Sequence, residues 1–344
     1  MPVEELSRKE LPFRWGPYTL LRHLRTDGLG ETFIATSASG GAPSAPAASA
    51  EEMAQRLLIV RRGLVRIAAS PFLQLYFSED LSLCQQLVHP QICRLRHAGE
   101  QDGCPVIVSE YAMGKRALDL LRHSRIRKEP LPWPIAVYIA HELCVILEHL
   151  HGKKDAEGNS WNLVASRGGF SLADIFVGYS AEVRIADIGI GYLNRHQASP
   201  MLPEGWTVLD HRPFYFSPEA VRGEVLSQAS DIFCAGWLLW ELATAGWLFA
   251  GANDFERLTK IRDAEAQAPR ELNPALPAQV EEIILKALAR APTDRHASAE
   301  ELRDLLAATT DMRSARAELE TFMQSAFADD LGKTRDELLR WAEC

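Results

Sequence analysis

Apolar and polar positions alternate from Tyr18 to Leu24 and again from Glu31 to Thr36. A period of two marks half-buried strands, and the intervening Arg25-Thr26-Asp27-Gly28-Leu29-Gly30 supplies turn residues, so the pair predicts a β-hairpin. Ser37 to Ala50 is made of Ala, Ser, Gly and Pro. Side chains that small bury too little apolar surface to order a chain, so the tract predicts a disordered surface loop. Leu57-Leu58-Ile59-Val60 predicts a short buried strand, followed by a helix over roughly Pro71 to Leu87. Two more short strands end at Val106-Ile107-Val108-Ser109.

From Pro132 the period lengthens. Ile135, Ile139, Leu143, Ile146, Leu147 and Leu150 mark one face of a long helix. Ile175-Phe176-Val177 and Val183-Arg184-Ile185 flank the turn Tyr179-Ser180-Ala181 and predict a second, smaller hairpin. The remainder is helical. Val280, Ile283, Ile284, Ala287 and Leu288 form one stripe, and Leu319, Phe322, Met323, Ala326 and Phe327 form another. Ser298 with Glu301 makes a capping box that opens a further helix. The layout is α+β: a small β-rich lobe, then a large helical lobe with a hairpin inside it.

Composition narrows the class. The chain has 344 residues, 47% apolar and 24% charged, which excludes a fibrous or disordered protein and allows a sizeable core. A formal charge of −9 argues against a nucleic-acid partner. Met1 to Trp15 has no apolar core of the signal-peptide kind. Ile232 to Ala252 is the most apolar stretch, but Glu241 interrupts it, so it predicts a buried core helix and not a membrane span. Six scattered cysteines without a C-x-x-C pair suit reduced, packed thiols in a cytoplasmic protein.

Seven strings then share an order and spacing. They are Gly28-Leu29-Gly30-Glu31 with Thr32-Phe33-Ile34-Ala35, His89-Pro90-Gln91-Ile92, Ser109-Glu110-Tyr111-Ala112-Met113-Gly114, Ile185-Ala186-Asp187-Ile188-Gly189, Tyr215-Phe216-Ser217-Pro218-Glu219, Ser230-Asp231-Ile232 with Leu239-Trp240-Glu241-Leu242, and Asp294-Arg295-His296-Ala297-Ser298. Together they resemble the protein-kinase family, and bacterial Ser/Thr kinases in particular, over about residues 14–308. The resemblance implies a bilobal kinase-like fold: an extension over 1–13, a small lobe over 14–112 with a flexible insertion at 37–50, a large lobe over 113–310, and a helical extension over 311–344. It makes Ser109 a small gatekeeper and the residues after it a hinge.

Phosphoryl transfer is chiefly positioning and charge stabilisation, so it needs particular residues in particular places. The loop over the phosphates wants G-x-G-x-x-G. Here Arg25 and Asp27 occupy the first two glycine positions, leaving Gly30 with Gly28 beside it, and Asp27 adds negative charge near the phosphates. A strand Lys should hold the phosphates and pair with a helix Glu. With Glu79 as that helix residue, the Lys position falls on Val60 or Arg61, and Leu58-Ile59-Val60-Arg61 contains no Lys. Arg61 as a substitute offers a planar fork and not a point-charge ammonium. The resemblance implies Glu110 and Ala112 as hinge contacts to the nucleotide.

Counting back from Asp187 through the hairpin, H-R-D-L-x-x-x-N falls on Arg167 to Asp174. The base position is Gly169, which has no side chain, and the Asn position is Asp174. A rival register through His151, Asp155 and Asn159 is one residue short. Losing a positioned base alone costs on the order of 10²- to 10⁴-fold in rate. Asp174 and Asp187 remain as the two metal positions, with oxygen ligands suited to Mg²⁺. Glu219, Asp231 and Arg295 carry architecture.

The implied function is a catalytically inactive pseudokinase that binds other proteins in signalling, with no cofactor beyond weak binding of ATP and Mg²⁺. The alternative is an active or weakly active Ser/Thr protein kinase, using Asp187 and Asp174 for metal and Arg25 or Arg61 in place of the Lys. Lys115 to Lys128 holds six basic residues against one acid, Asp119, and reads either as a solvated face or as a docking patch for an acidic partner.

Overall fold

The computed structural model describes residues 10–27, 30–37, 50–63, 81, 84–154, 157–161, 171–188 and 215–342. The chain forms two compact units. Among the described residues, the first comprises 10–113 and 326–342, and the second 114–188 and 215–325.

Among its described residues, the first unit is built around a six-stranded antiparallel sheet in the order β1-β2-β3-β4-β6-β5. The strands are β1 (Phe13–Trp15), β2 (Tyr18–Asp27), β3 (Gly30–Ser37), β4 (Leu57–Gly63), β5 (Leu95–Gln101) and β6 (Cys104–Glu110). The expected hairpin is β2–β3, whose register runs from Tyr18↔Ser37 to Asp27↔Gly30 with shifts at Leu20/Arg22 and His23/Arg25. Alternation along β4 divides the apolar side chains between two faces. Val60 joins Trp15, Tyr18, Leu20, Phe33, Ala35, Val106 and Val108 on one face, with Leu58 packed against them. Leu57 joins Leu21, Ile34, Met53 and Leu338 on the other, with Ile59 packed against them.

A helix that sequence periodicity does not predict, α1 (Ala50–Arg56), leads directly into β4. The tract expected to be disordered lies outside the described residues, apart from Ser37 closing β3 and Ala50 opening α1. The helix expected over 71–87 also lies largely outside them.

The second unit begins with β7 (Lys115–Arg116), which pairs with β8 (Ile175–Val177) and then β9 (Val183–Ile185) in a three-stranded sheet. Its helices are α2 (Ala117–Arg127), α3 (Trp133–His151), α4 (Pro218–Arg222), α5 (Gln228–Thr244), α6 (Asp254–Asp263), α7 (Ala278–Ala287), α8 (Ala299–Ala307) and α9 (Met312–Ala326). The final helix, α10 (Ala328–Ala342), belongs to the first unit.

Helix α5 is the core helix expected from Ile232 onward, and every residue from Ser230 to Thr244 is buried. It stops earlier than the apolar run suggests, because Ala245 turns left-handed at φ 56°. Phe233 and Trp237 pack there against Phe249, with Tyr215 edge-on to Trp237. Helix α3 is long and apolar enough to cross a membrane, yet 61% of that window is buried within the protein. Ser298 caps α8 as expected, its Oγ accepting the Glu301 N–H, but the reciprocal half of the box is displaced by one residue: the Glu301 carboxylate accepts the N–H of Ala297, not that of Ser298.

Candidate functional site

In the first unit the site residues are set by strand register. Arg61 lies between Thr32 and Ile107, and Ile59 lies between Ile34 and Ser109. Directly paired residues share a face, so Ile59, Arg61, Ser109 and Ile107 stand on one side of the sheet. Val60 and Arg62 stand on the other. Val60 is fully buried in the core of its own face, so of the two candidate positions Arg61 is the one that shares a face with Ser109. Arg62 is engaged elsewhere. Its Nη1 meets Glu31 Oε2 at 2.9 Å in a buried pair, and its guanidinium lies 5.8 Å from the Trp15 ring.

Gly30 has φ 147°, and a Cβ there would overlap the carbonyl of Arg62 on the neighbouring strand. That close approach of two strands is sufficient physical reason for glycine at this position. Gly28, its neighbour in the loop, lies outside the described residues, as do Glu79 and Gly169.

Glu110 is engaged within the sheet. Its carboxylate accepts Arg96 Nη2 at 2.6 Å and the Arg94 N–H at 3.3 Å, tying β6 to the start of β5. Beyond it the Tyr111 N–H donates to the Leu57 carbonyl at 3.2 Å, and Ala112 is buried.

In the second unit the β8–β9 hairpin brings Asp174 and Asp187 to one end. Ile175 pairs with Ile185, and the Ala186 N–H donates to the Asp174 carbonyl at 2.8 Å. Asp187 follows with φ 62°, a left-handed conformation that Asp tolerates better than most residues. Asp174 Oδ2 accepts both the Ser171 N–H at 2.9 Å and the Ser171 hydroxyl at 2.7 Å. The carboxylate therefore holds the turn leading into β8, a role that its position in the motif does not suggest.

Both groups are half-buried carboxylates and suit a hard divalent cation. Among the described residues no cluster of three His, Cys, Asp or Glu is able to hold a metal. Two donors are a partial set for Mg²⁺, which ordinarily completes its shell with water and substrate phosphate oxygens.

The residues expected to carry architecture are tightly engaged. Arg295 grips Glu219 with two hydrogen bonds, and Ser230 donates a third to the same carboxylate at 2.7 Å. Burial alone would raise the Glu219 carboxyl, but the bonds from Arg295 and Ser230 outweigh it and hold it at about 2. Asp231 Oδ2 lies 2.8 Å from His151 Nε2, both side chains buried, and Gln228 Nε2 donates to the His151 carbonyl. His151 belongs to the register that the motif spacing excludes, and its place is at the end of α3, tied to α5.

Sequence pattern gives no sign of a buried network around Glu241. This carboxylate accepts from Tyr215 Oη at 2.8 Å and Trp237 Nε1 at 3.1 Å. Burial pushes its carboxyl up, against the pull of those bonds and of nearby Arg125.

The basic stretch is largely engaged in local pairs. Arg116 and Arg122 both reach Asp119, and Arg127 lies 3.6 Å from Glu129. Arg125 stacks 3.5 Å over Trp247 and donates to the carbonyls of Ala245 and Gly246. Its role is to clamp α2 to the segment after α5.

Comparisons with known proteins bear on the family and the fold. Residues 73–306 match the protein kinase domain family. The chain is 28% identical over 306 residues to the tyrosine-protein kinase MasK of Myxococcus xanthus, covering 89% of this chain and 45% of that protein. It is 28% identical over 226 residues to the serine/threonine-protein kinase PrkC of Bacillus subtilis, covering 66% of this chain and 32% of that one. The chain thus spans less than half the length of these relatives. Among solved structures, the Mycobacterium tuberculosis PknI kinase domain superposes with a TM-score of 0.60 at 18% identity, over 88% of this chain and 100% of that one. At that identity the likeness concerns fold.

Proposed function

This chain belongs to the protein kinase family, and we propose that within it the protein is a catalytically inactive pseudokinase, a cytoplasmic signalling component that acts by binding other proteins. The observation that carries this reading is β4. On the face where a kinase presents a lysine ammonium to the nucleotide phosphates, this strand offers Ile59 and Arg61. Gly169 at the base position compounds the loss, because glycine has nothing with which to accept the substrate hydroxyl proton. Engagement of Asp174 with Ser171 further reduces what is free to bind metal.

Asp187 and Asp174 are the residues that would hold Mg²⁺ together with ATP, and the ion would supply charge neutralisation at the phosphates. Arg61, on the correct face, favours the second reading, a weakly active kinase or a nucleotide binder with an arginine in place of the lysine. Phosphate contact through a guanidinium is physically sound, but its planar fork places the charge differently from an ammonium.

A thermal-shift titration with ATP, with and without Mg²⁺ or Mn²⁺, tests the reading. A ligand at 100 times its Kd stabilises by about 2.7 kcal/mol. Little or no shift is expected at millimolar nucleotide. A micromolar Kd that depends on Asp187 would favour the second reading.

A further inference from the structure

Phe327 alone separates α9 from α10, yet the two helices belong to different units. Helix α10 lies against the small sheet. Leu338 is 1% exposed and shares a core with Leu21 of β2, Ile34 of β3, Met53 of α1 and Leu57 of β4. Trp341 and Ala342 pack on the same cluster, and so do Ile59, Tyr111 and Met113. Arg22 of β2 fastens the helix from the side: its Nη1 meets Glu337 Oε2 at 2.5 Å, and its guanidinium lies 5.7 Å from the Trp341 ring.

The side of the sheet matters. Leu57 and Ile59 alternate with Val60 and therefore share a face with Arg61, and Ser109 is the direct neighbour of Ile59. Helix α10 thus covers part of the face that bears Arg61, next to Tyr111 and Met113. The opposite face is filled independently by Trp15, Phe33, Val60 and their neighbours.

The attachment is narrow. Leu338 is the one residue of α10 that is fully buried among the described side chains, and Leu339 beside it is 43% exposed. The ion pair is partly solvated, with side chains 41% and 26% exposed, so salt and substitution weaken it readily. An element held by few buried apolar contacts opens below the global unfolding transition.

We propose that α10 is a strap over this face of the small sheet, latched by Arg22–Glu337 and Leu338, and that its release governs access of an adenine nucleotide to the first unit. The ligand class rests on the family reading given above. The apolar walls at Tyr111 and Met113 suit a flat base, and Arg61 suits phosphate.

The test uses the 344-residue chain carrying Arg22→Glu, Glu337→Arg, or both. Amide exchange across 328–342 reports the latch, and metal-free ATP titrated by thermal shift reports access. Each single reversal is expected to speed exchange in α10 and tighten ATP binding by about fivefold or more, because affinity scales with the open fraction. The double reversal restores the pair and should return both readouts to the parent values. Faster exchange with unchanged ATP affinity, or with no ATP binding in any variant, would overturn the strap. So would exchange that no single reversal alters. Phosphoryl transfer by an opened variant would instead overturn the inactive reading and leave the strap standing.

Discussion

Arg295 and Glu219, 76 positions apart, meet in a two-pronged ion pair, Nη1 to Oε1 at 2.7 Å and Nη2 to Oε2 at 2.8 Å. Both side chains are essentially shut off from solvent, at 0% and 2% exposure. Arg295 also donates to the carbonyls of Ala289, Ala229 and Arg290. One guanidinium therefore joins the end of α7, the start of α5 and α4.

Removing one partner of such a pair strands a buried charge, at a cost of about 3–5 kcal/mol. For a unit of this size, each kcal/mol moves the melting temperature by about 2–4 °C. Arg295→Ala is expected to melt roughly 10 °C below the parent in a calorimetric scan. An unchanged melting temperature would mean that the pair does not hold the large unit together.

The same pair sets an acid limit. Glu219 titrates at about 2 in the folded protein, whereas an unfolded glutamate titrates at ~4.3. A depressed folded value means that the stabilisation is present above ~4.3 and is lost as the pH falls toward 2. The melting temperature of the parent should fall across that window. Glu219→Gln should start lower and vary less there, and a parallel acid limb in the variant would contradict the assignment.

Gly30→Ala tests the sheet rather than the chemistry. With φ 147° and the Arg62 carbonyl in the way of a Cβ, any side chain strains the β3–β4 pairing. The expected loss is about 1–3 kcal/mol of stability, read from urea unfolding of the full chain. A neutral substitution would show that the loop relaxes freely and would restore a purely functional reason for the glycine.

Asp174 separates a turn from a metal ligand. Asp174→Ala removes the acceptor for two Ser171 hydrogen bonds and should cost about 1–3 kcal/mol. Asp174→Asn keeps a carbonyl oxygen and should cost less. Equal stability of Asp174→Ala and the parent, compared by urea unfolding, would mean that the turn does not need the carboxylate.

How far the sequence reveals this protein depends on the range of the interaction. The β2–β3 hairpin, the long helix beginning near Pro132 and the N-cap at Ser298 are written in local pattern, and each is present. The Glu219–Arg295 pair is legible only because the strings around both residues resemble a known family. Short-range pattern carries no record of what lies across the fold. Hence nothing in the sequence announces α1, preceded by a tract of small residues, or the seat of Leu338 among Leu21, Ile34 and Met53.

The choice between Val60 and Arg61 also needs structure. A shift of one residue in a strand exchanges its two faces, and register with Ile107 and Val108 decides which residue points where. His151 falls outside the catalytic-loop register on spacing alone. Its actual partner, Asp231, is 80 positions away and is found only in space.

Whether this kinase fold transfers phosphate is decided most directly with γ-labelled ATP. The purified chain is incubated with it and Mg²⁺ or Mn²⁺, beside an Asp187→Ala control, and label is counted on the protein and on a generic substrate. An inactive fold incorporates nothing above the Asp187→Ala background, and that is the expected result. Label that appears in the parent and disappears in Asp187→Ala would contradict it.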